Sequence, residues 1–154
     1  VTIEVGKKVP AFTAESTGGP VSLAALRGSI VVLYFYPKDN TPGCTTEGQD
    51  FAAAHAGFRK AGAVVYGVSR DTLKSHAGFK QKMAFPFELI SDPDEALCDS
   101  FGVMKLKNMY GKQVRGIERS TFVIGADGKL AHAWRGVRVP QHVDEVLAFV
   151  QTLS

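Results

Sequence analysis

Ile30-Val31-Val32-Leu33-Tyr34-Phe35-Tyr36, followed by Pro37-Lys38-Asp39-Asn40-Thr41-Pro42-Gly43-Cys44-Thr45-Thr46-Glu47, decides how this chain folds. The first seven residues form an unbroken apolar run, the pattern of a strand buried on both faces. Such strands belong to sheets covered by helices on either side. Two prolines and a glycine then open a loop. A helix is expected to start near Cys44. Open α/β sheets place their chemistry beyond the carboxyl ends of the strands. The segment after Tyr36 is therefore where function is expected.

The same alternation continues outward. Ala63-Val64-Val65-Tyr66-Gly67-Val68 is a second buried strand, and Phe87-Glu88-Leu89-Ile90 a shorter third. Thr121-Phe122-Val123-Ile124 is a fourth. Ala126-Asp127-Gly128-Lys129 makes a hairpin turn, and Leu130 to Trp134 returns as a fifth strand. Helical patterns fill the gaps at 45–60, at 71–82 with Asp71 as N-cap, at 92–101 opened by Asp-Pro-Asp, and at 140–152. Pro10 to Leu26 reads as a short hairpin or irregular edge, with Gly18-Gly19-Pro20 as a turn. The order predicts an α/β fold with a mixed central sheet flanked by helices. The strands at 30–36 and 63–68, joined through a helix, should run parallel.

Composition narrows the class further. The 154 residues are 45% hydrophobic and 21% charged, with no repeat or linker, so one domain over 1–154 is expected. A net charge of +3 is too small a surplus to argue for nucleic acid. Two cysteines, Cys44 and Cys98, exclude a disulfide framework. The longest apolar runs are too short to cross a bilayer. No basic segment leads into an apolar stretch at the start, although the chain begins with Val1 rather than Met. The expectation is a soluble, cytoplasmic protein.

Cys44 is the residue best placed for chemistry. Backbone N–H groups at a helix start stabilise a thiolate, and the helix dipole adds to them. Thiolate is the nucleophilic form. The competing reading, a small buried hydrophobe, fits most cysteines but not this strand–loop–helix position.

Pro37-x-x-x-Thr41-x-x-Cys44 resembles the active-site motif of the peroxiredoxins. Tyr34-Phe35-Tyr36-Pro37-Lys38 with Thr41-Pro42-Gly43-Cys44-Thr45-Thr46-Glu47 is similar to the bacterioferritin-comigratory-protein, or Q-type, branch. The likeness runs on through Gly67-Val68-Ser69-Arg70-Asp71, Phe101-Gly102-Val103, Met109-Tyr110-Gly111-Lys112 and Gly116-Ile117-Glu118-Arg119-Ser120-Thr121-Phe122. It implies a thioredoxin-like fold and a thiol-dependent peroxidase without cofactor. Thr41 stands where a thioredoxin motif has its other cysteine, which argues against a disulfide reductase.

The resemblance implies that the Cys44 thiolate attacks hydrogen peroxide or an organic hydroperoxide and becomes a sulfenic acid. Arg119 matches the family's active-site arginine, able to bond sulfur and peroxide together. The Thr41 hydroxyl can accept from the peroxide and donate to the thiolate, and the N–H groups of Gly43 and Cys44 complete the cradle. Pro37 rigidifies the loop and shields the sulfur. Glu47 matches a glutamate that orients Arg119.

The sequence departs from the branch at its resolving cysteines. The two usual positions hold Gln49 and Lys80. Cys98 is expected to be a structural thiol too far from Cys44 to bridge it, since a disulfide needs Cα atoms within roughly 7 Å. The implied enzyme is of one-cysteine type, reduced by an external thiol such as thioredoxin, glutaredoxin or a small thiol. It is expected to be a monomer. Without a nearby resolving thiol, excess peroxide should carry Cys44 on to sulfinic acid. Alternatives are a Cys44–Cys98 disulfide formed after local unfolding, a peroxide-responsive sensor or holdase, and a thioredoxin-fold binding protein with an inert thiol.

Other features carry less. His55, His76, His132 and His142 lack metal-ligand spacing, and no metal site is expected. Lys105, Lys107, Lys112 and Arg115 read as solvated surface or, more weakly, as a dock for the reductant. Trp134 reads as structural. Phe79, Phe85 and Phe87 fit the core better than an apolar mouth.

Overall fold

The computed structural model of the chain describes residues 3–154. Seven strands form one mixed sheet in the order β2-β1-β5-β4-β3-β8-β9. They are β1 (Thr13–Ser16), β2 (Gly19–Ser22), β3 (Ile30–Phe35), β4 (Ala63–Ser69), β5 (Glu88–Ser91), β8 (Ser120–Ile124) and β9 (Leu130–Arg135). Strands β3, β4 and β5 run parallel, with Ile30 opposite Ala63 and Tyr66 opposite Glu88. The β1–β2 hairpin and β8–β9 add antiparallel edges. The central run at 30–36 is fully buried, as its unbroken apolar character requires.

Alternation along β3 divides the interior into two cores. Ile30, Val32, Tyr34 and Tyr36 face one side. There they meet Cys44 and Phe51 of α1 (Pro42–Ala53), Phe58 of α2 (His55–Lys60), Phe79 of α3 (Leu73–Met83) and Val143, Val146 and Val150 of α5 (His142–Leu153). Phe85 and Phe87 lie in the same core, so the three phenylalanines line the interior. Val31, Leu33 and Phe35 face the other side, with Leu97 and Cys98 of α4 (Ala96–Ser100) and Phe101. The two cysteines thus lie in cores on opposite faces of the sheet.

Three helices differ from the expected bounds. The pattern over 45–60 is two helices, because Ala54 leaves helical geometry at φ −92°, ψ 1°. Helix α3 is capped by Thr72, whose hydroxyl accepts the Ser75 N–H at 3.2 Å, while the Asp71 carboxylate accepts from the Asp39 N–H and the Ser69 hydroxyl. The segment from Asp92 is helical only from Ala96. Asp92 reaches forward to accept from the N–H groups of Leu97 and Cys98, and Glu95 at φ +65° interrupts the helix before it.

One hairpin was not expected: β6 (Met104–Met109) with β7 (Lys112–Ile117), a separate two-stranded sheet. Tyr110 and Gly111, both at positive φ, make its turn. Its alternating lysines and apolar residues had read as a basic surface run. Arg115 of that run pairs with Glu95 and with Asp99.

Candidate active site

The loop after β3 delivers Cys44 into the first turn of α1. Thr41 is the N-cap residue, extended at φ −84°, and its carbonyl accepts the Thr45 N–H at 2.9 Å. Pro42 follows as the first helical residue, where its missing N–H costs nothing. The N–H groups of Gly43 and Cys44 precede the first intrahelical bond and point along the helix axis toward the loop. Cys44 is 2% exposed.

Arg119, between β7 and β8, closes over this turn. Its Nη2 donates to Cys44 Sγ at 3.5 Å and its Nη1 to Glu47 Oε1 at 2.6 Å. Glycine at 43 permits the approach, since a Cβ there would lie 3.1 Å from Nη2. Glu47 is fully buried, one helical turn from Cys44. Burial pushes its carboxyl up to about 7, against the opposing pull of Arg119. Burial also works against the Arg119 charge, but Glu47 and Cys44 outweigh it and hold the guanidinium protonated.

The sequence-derived set is therefore largely brought together: Cys44, Arg119, Glu47 and Gly43 are in contact range. Pro37 is half-buried at the end of β3. Thr41 differs from expectation. Its hydroxyl donates to the Lys38 carbonyl at 2.8 Å rather than to the thiolate, which leaves its lone pairs to accept. Cys98 is fully buried in the opposite core, where burial and a hydrogen bond with Asp92 push its thiol well above the ordinary range.

A buried polar pair and a buried polar cluster were missed. His142 Nε2 lies 2.8 Å from the Thr121 hydroxyl, and burial, then the Arg119 charge, lowers its pKa to about 4. Asp39 joins Tyr36, Ser75 and His76. Neither has a spacing signature; each is made by tertiary contact. Trp134 stacks on His132 and meets Phe149 edge-on, a packing role. Among the described residues, Asp39, Asp71 and His76 could offer three ligand atoms to a cation, within 4.8 Å of one another. No described helix is long and apolar enough to cross a membrane.

Comparison with known proteins follows the same lines. Residues 5–133 match the AhpC/TSA family. Peroxiredoxin Bcp of Xanthomonas campestris is 58% identical over 133 residues, 86% of this chain and 83% of that protein. A solved structure of the X. campestris bacterioferritin comigratory protein, studied for its alkyl peroxide reduction activity, superposes at a TM-score of 0.90 with 51% identity, covering 97% of this chain and 98% of that one. Two structures of X. campestris peroxiredoxin Q, each with a different cysteine replaced by serine, superpose at TM-scores of 0.90 and 0.89 with 51% identity, covering at least 96% of either chain. The spacing between those two cysteines, counted from Cys44, falls on Lys80.

The chain belongs to the AhpC/TSA family, the thiol-dependent peroxidases called peroxiredoxins, on a thioredoxin-like fold. Within it, the relatives place the chain in the bacterioferritin-comigratory-protein, or Q, branch.

Proposed function

We propose that Cys44 is the peroxide-reactive thiol and that an external thiol, not Cys98, reduces it. The thiolate attacks the terminal oxygen of a hydroperoxide and the O–O bond breaks. Cys44 keeps that oxygen as a sulfenic acid, and the departing alkoxide or hydroxide takes up a proton. Sulfur loses two electrons and the peroxide gains them. A first external thiol then forms a mixed disulfide with release of water, and a second restores the Cys44 thiol. The carrying observation is Arg119 spanning Cys44 Sγ and Glu47. A planar guanidinium so held can meet the negative charge that develops on sulfur and both oxygens. The Thr41 hydroxyl accepts the peroxide O–H, and the first-turn N–H groups of Gly43 and Cys44 add donors.

Alkyl hydroperoxides are proposed as substrates alongside hydrogen peroxide, from the likeness to the X. campestris protein. Lys80 at the resolving position and Cys98 behind the sheet support the one-cysteine cycle. The chain is proposed to act as one domain and as a monomer. The test is peroxide turnover with dithiothreitol, thioredoxin and glutaredoxin as alternative reductants. The proposal expects turnover with an external thiol, abolished by Cys44→Ser. Turnover that survives Cys44→Ser overturns it, and a single oxidation without cycling selects the sensor reading.

A further inference from the structure

The loop that carries Pro37 and Thr41 is anchored through a buried polar network that the peroxide chemistry does not itself use. Asp39, 5% exposed, sits at its middle. Its Oδ1 accepts from the Tyr36 hydroxyl at 2.7 Å, and its Oδ2 accepts from the Ser75 hydroxyl at 2.8 Å and faces His76 Nδ1 at 2.8 Å. The Asp39 backbone N–H donates to Asp71 Oδ2 at 2.9 Å. His76, fully buried on α3, turns its Nε2 to the Ile90 carbonyl at 2.9 Å.

The proton count makes this a directed contact. A carbonyl only accepts, so Nε2 carries a hydrogen. Nδ1 is left facing the Asp39 carboxylate at 2.8 Å and the Tyr36 hydroxyl at 3.4 Å. Burial alone would raise the Asp39 pKa, but its hydrogen bonds from His76, Tyr36 and Ser75 bring it below the ordinary value, so Asp39 meets these partners as an accepting carboxylate. The same side chains could approach a cation, but the ring nitrogen and carboxylates are already engaged with one another.

Resting on the peroxidase reading of Cys44, we propose that Asp39 and His76 are positioning residues that fix the Lys38–Thr41 loop against α3 and so set where Thr41 and the first turn of α1 meet the peroxide. The path is short. Asp39 precedes Asn40, whose φ of +63° is a left-handed turn conformation that asparagine accepts. Thr41 follows, bonded through its hydroxyl to Lys38 and through its carbonyl to Thr45. Releasing Asp39 frees this turn to shift, and a misplacement of about 1 Å can cost roughly 10²-fold in rate.

The test compares Asp39→Asn, His76→Leu and His76→Asn. The asparagine at 76 keeps a donor where Nδ1 stands; the leucine keeps volume and removes both donors. The readouts are the second-order rate of Cys44 with hydrogen peroxide and, separately, with iodoacetamide, which needs a thiolate but no peroxide cradle. Asp39→Asn and His76→Leu are expected to slow the peroxide reaction about 10–100-fold while alkylation holds or quickens, and His76→Asn to recover most of the loss. Equal falls in both reactions, an unchanged peroxide rate, or no rescue overturns the proposal. Should the leucine variant not fold, Ser75→Ala removes one bond to Asp39 and must slow peroxide selectively, though less. Wild-type protein that does not react with peroxide defeats the peroxidase reading instead.

Discussion

Replacing Glu47 by glutamine tests whether a buried carboxylate aims Arg119. Oε1 of Glu47 meets Nη1 of Arg119 at 2.6 Å, and Oε2 is buried without a partner among the described residues. With its carboxyl pushed up to about 7 by burial, Glu47 is ionised above neutrality and takes up a proton below it. A hydrogen bond to a charged group contributes about 1.5–3 kcal/mol. At about 1.4 kcal/mol per tenfold in rate, Glu47→Gln should slow the reaction of Cys44 with peroxide by roughly 10–100-fold at pH 8. Dividing the peroxide rate by the iodoacetamide rate cancels the thiolate fraction common to both. In the wild type this ratio should fall as the pH drops through about 7. In Glu47→Gln it should be low and flat. A flat wild-type ratio, or an unchanged ratio in the variant, refutes the reasoning.

The same shift has a consequence for stability. The folded value of about 7 lies above the ordinary 4.5, so between the two the native state holds a proton that the unfolded chain releases. The stabilisation is full below pH 4.5 and is lost as the pH rises through about 7. Urea unfolding at pH 5 and pH 8 should show the wild type losing up to about 3 kcal/mol relative to Glu47→Gln.

Arg119→Lys keeps a charge but cannot fork between Glu47 and Cys44, so the peroxide rate constant should fall about 10–100-fold in stopped-flow traces; a change under about twofold contradicts the fork. Gly48→Ala would drive a Cβ into the Phe85 ring, inside the core beside Cys44, and should destabilise by about 1–3 kcal/mol in chemical denaturation, whereas an unchanged midpoint would show that Phe85 yields freely. His142, lowered by burial and by Arg119, should titrate near 4 by NMR. Its neutral form contributes stability that is present above the unfolded value of about 6.5 and lost as the pH falls toward 4. An ordinary titration near 6.5 contradicts that placement.

The strands were legible because their signal is local. An apolar run such as 30–36 has few alternatives to a buried strand, and the Asp127-Gly128 turn marks the β8–β9 hairpin directly. The proposed site was readable as a cluster for a similar reason: Pro37, Thr41, Gly43, Cys44 and Glu47 fall within one short segment, and only Arg119 arrives from afar. What escaped depends on partners distant in sequence. Asp92 shortens α4 by bonding forward to Leu97 and Cys98, a choice that propensity does not encode. Asp39 and His76 stand 37 residues apart and look like an ordinary loop acid and helix histidine until the fold buries them together. The β6–β7 hairpin hid because both its faces are largely solvated, so the alternation of Met104-Lys105-Leu106-Lys107 does not mark a buried face.

Whether Cys44 is reduced from outside the chain or by Cys98 is read from intact mass. Reduced wild type and Cys98→Ser would each receive one equivalent of hydrogen peroxide and be denatured with a thiol trap. A one-cysteine cycle gives the same product from both: one added oxygen, or its trapped adduct, on Cys44, with Cys98 still free in the wild type. A wild-type loss of two hydrogens with both thiols blocked in a monomer, absent from Cys98→Ser, would contradict it and show that the sheet does not keep the two cysteines apart.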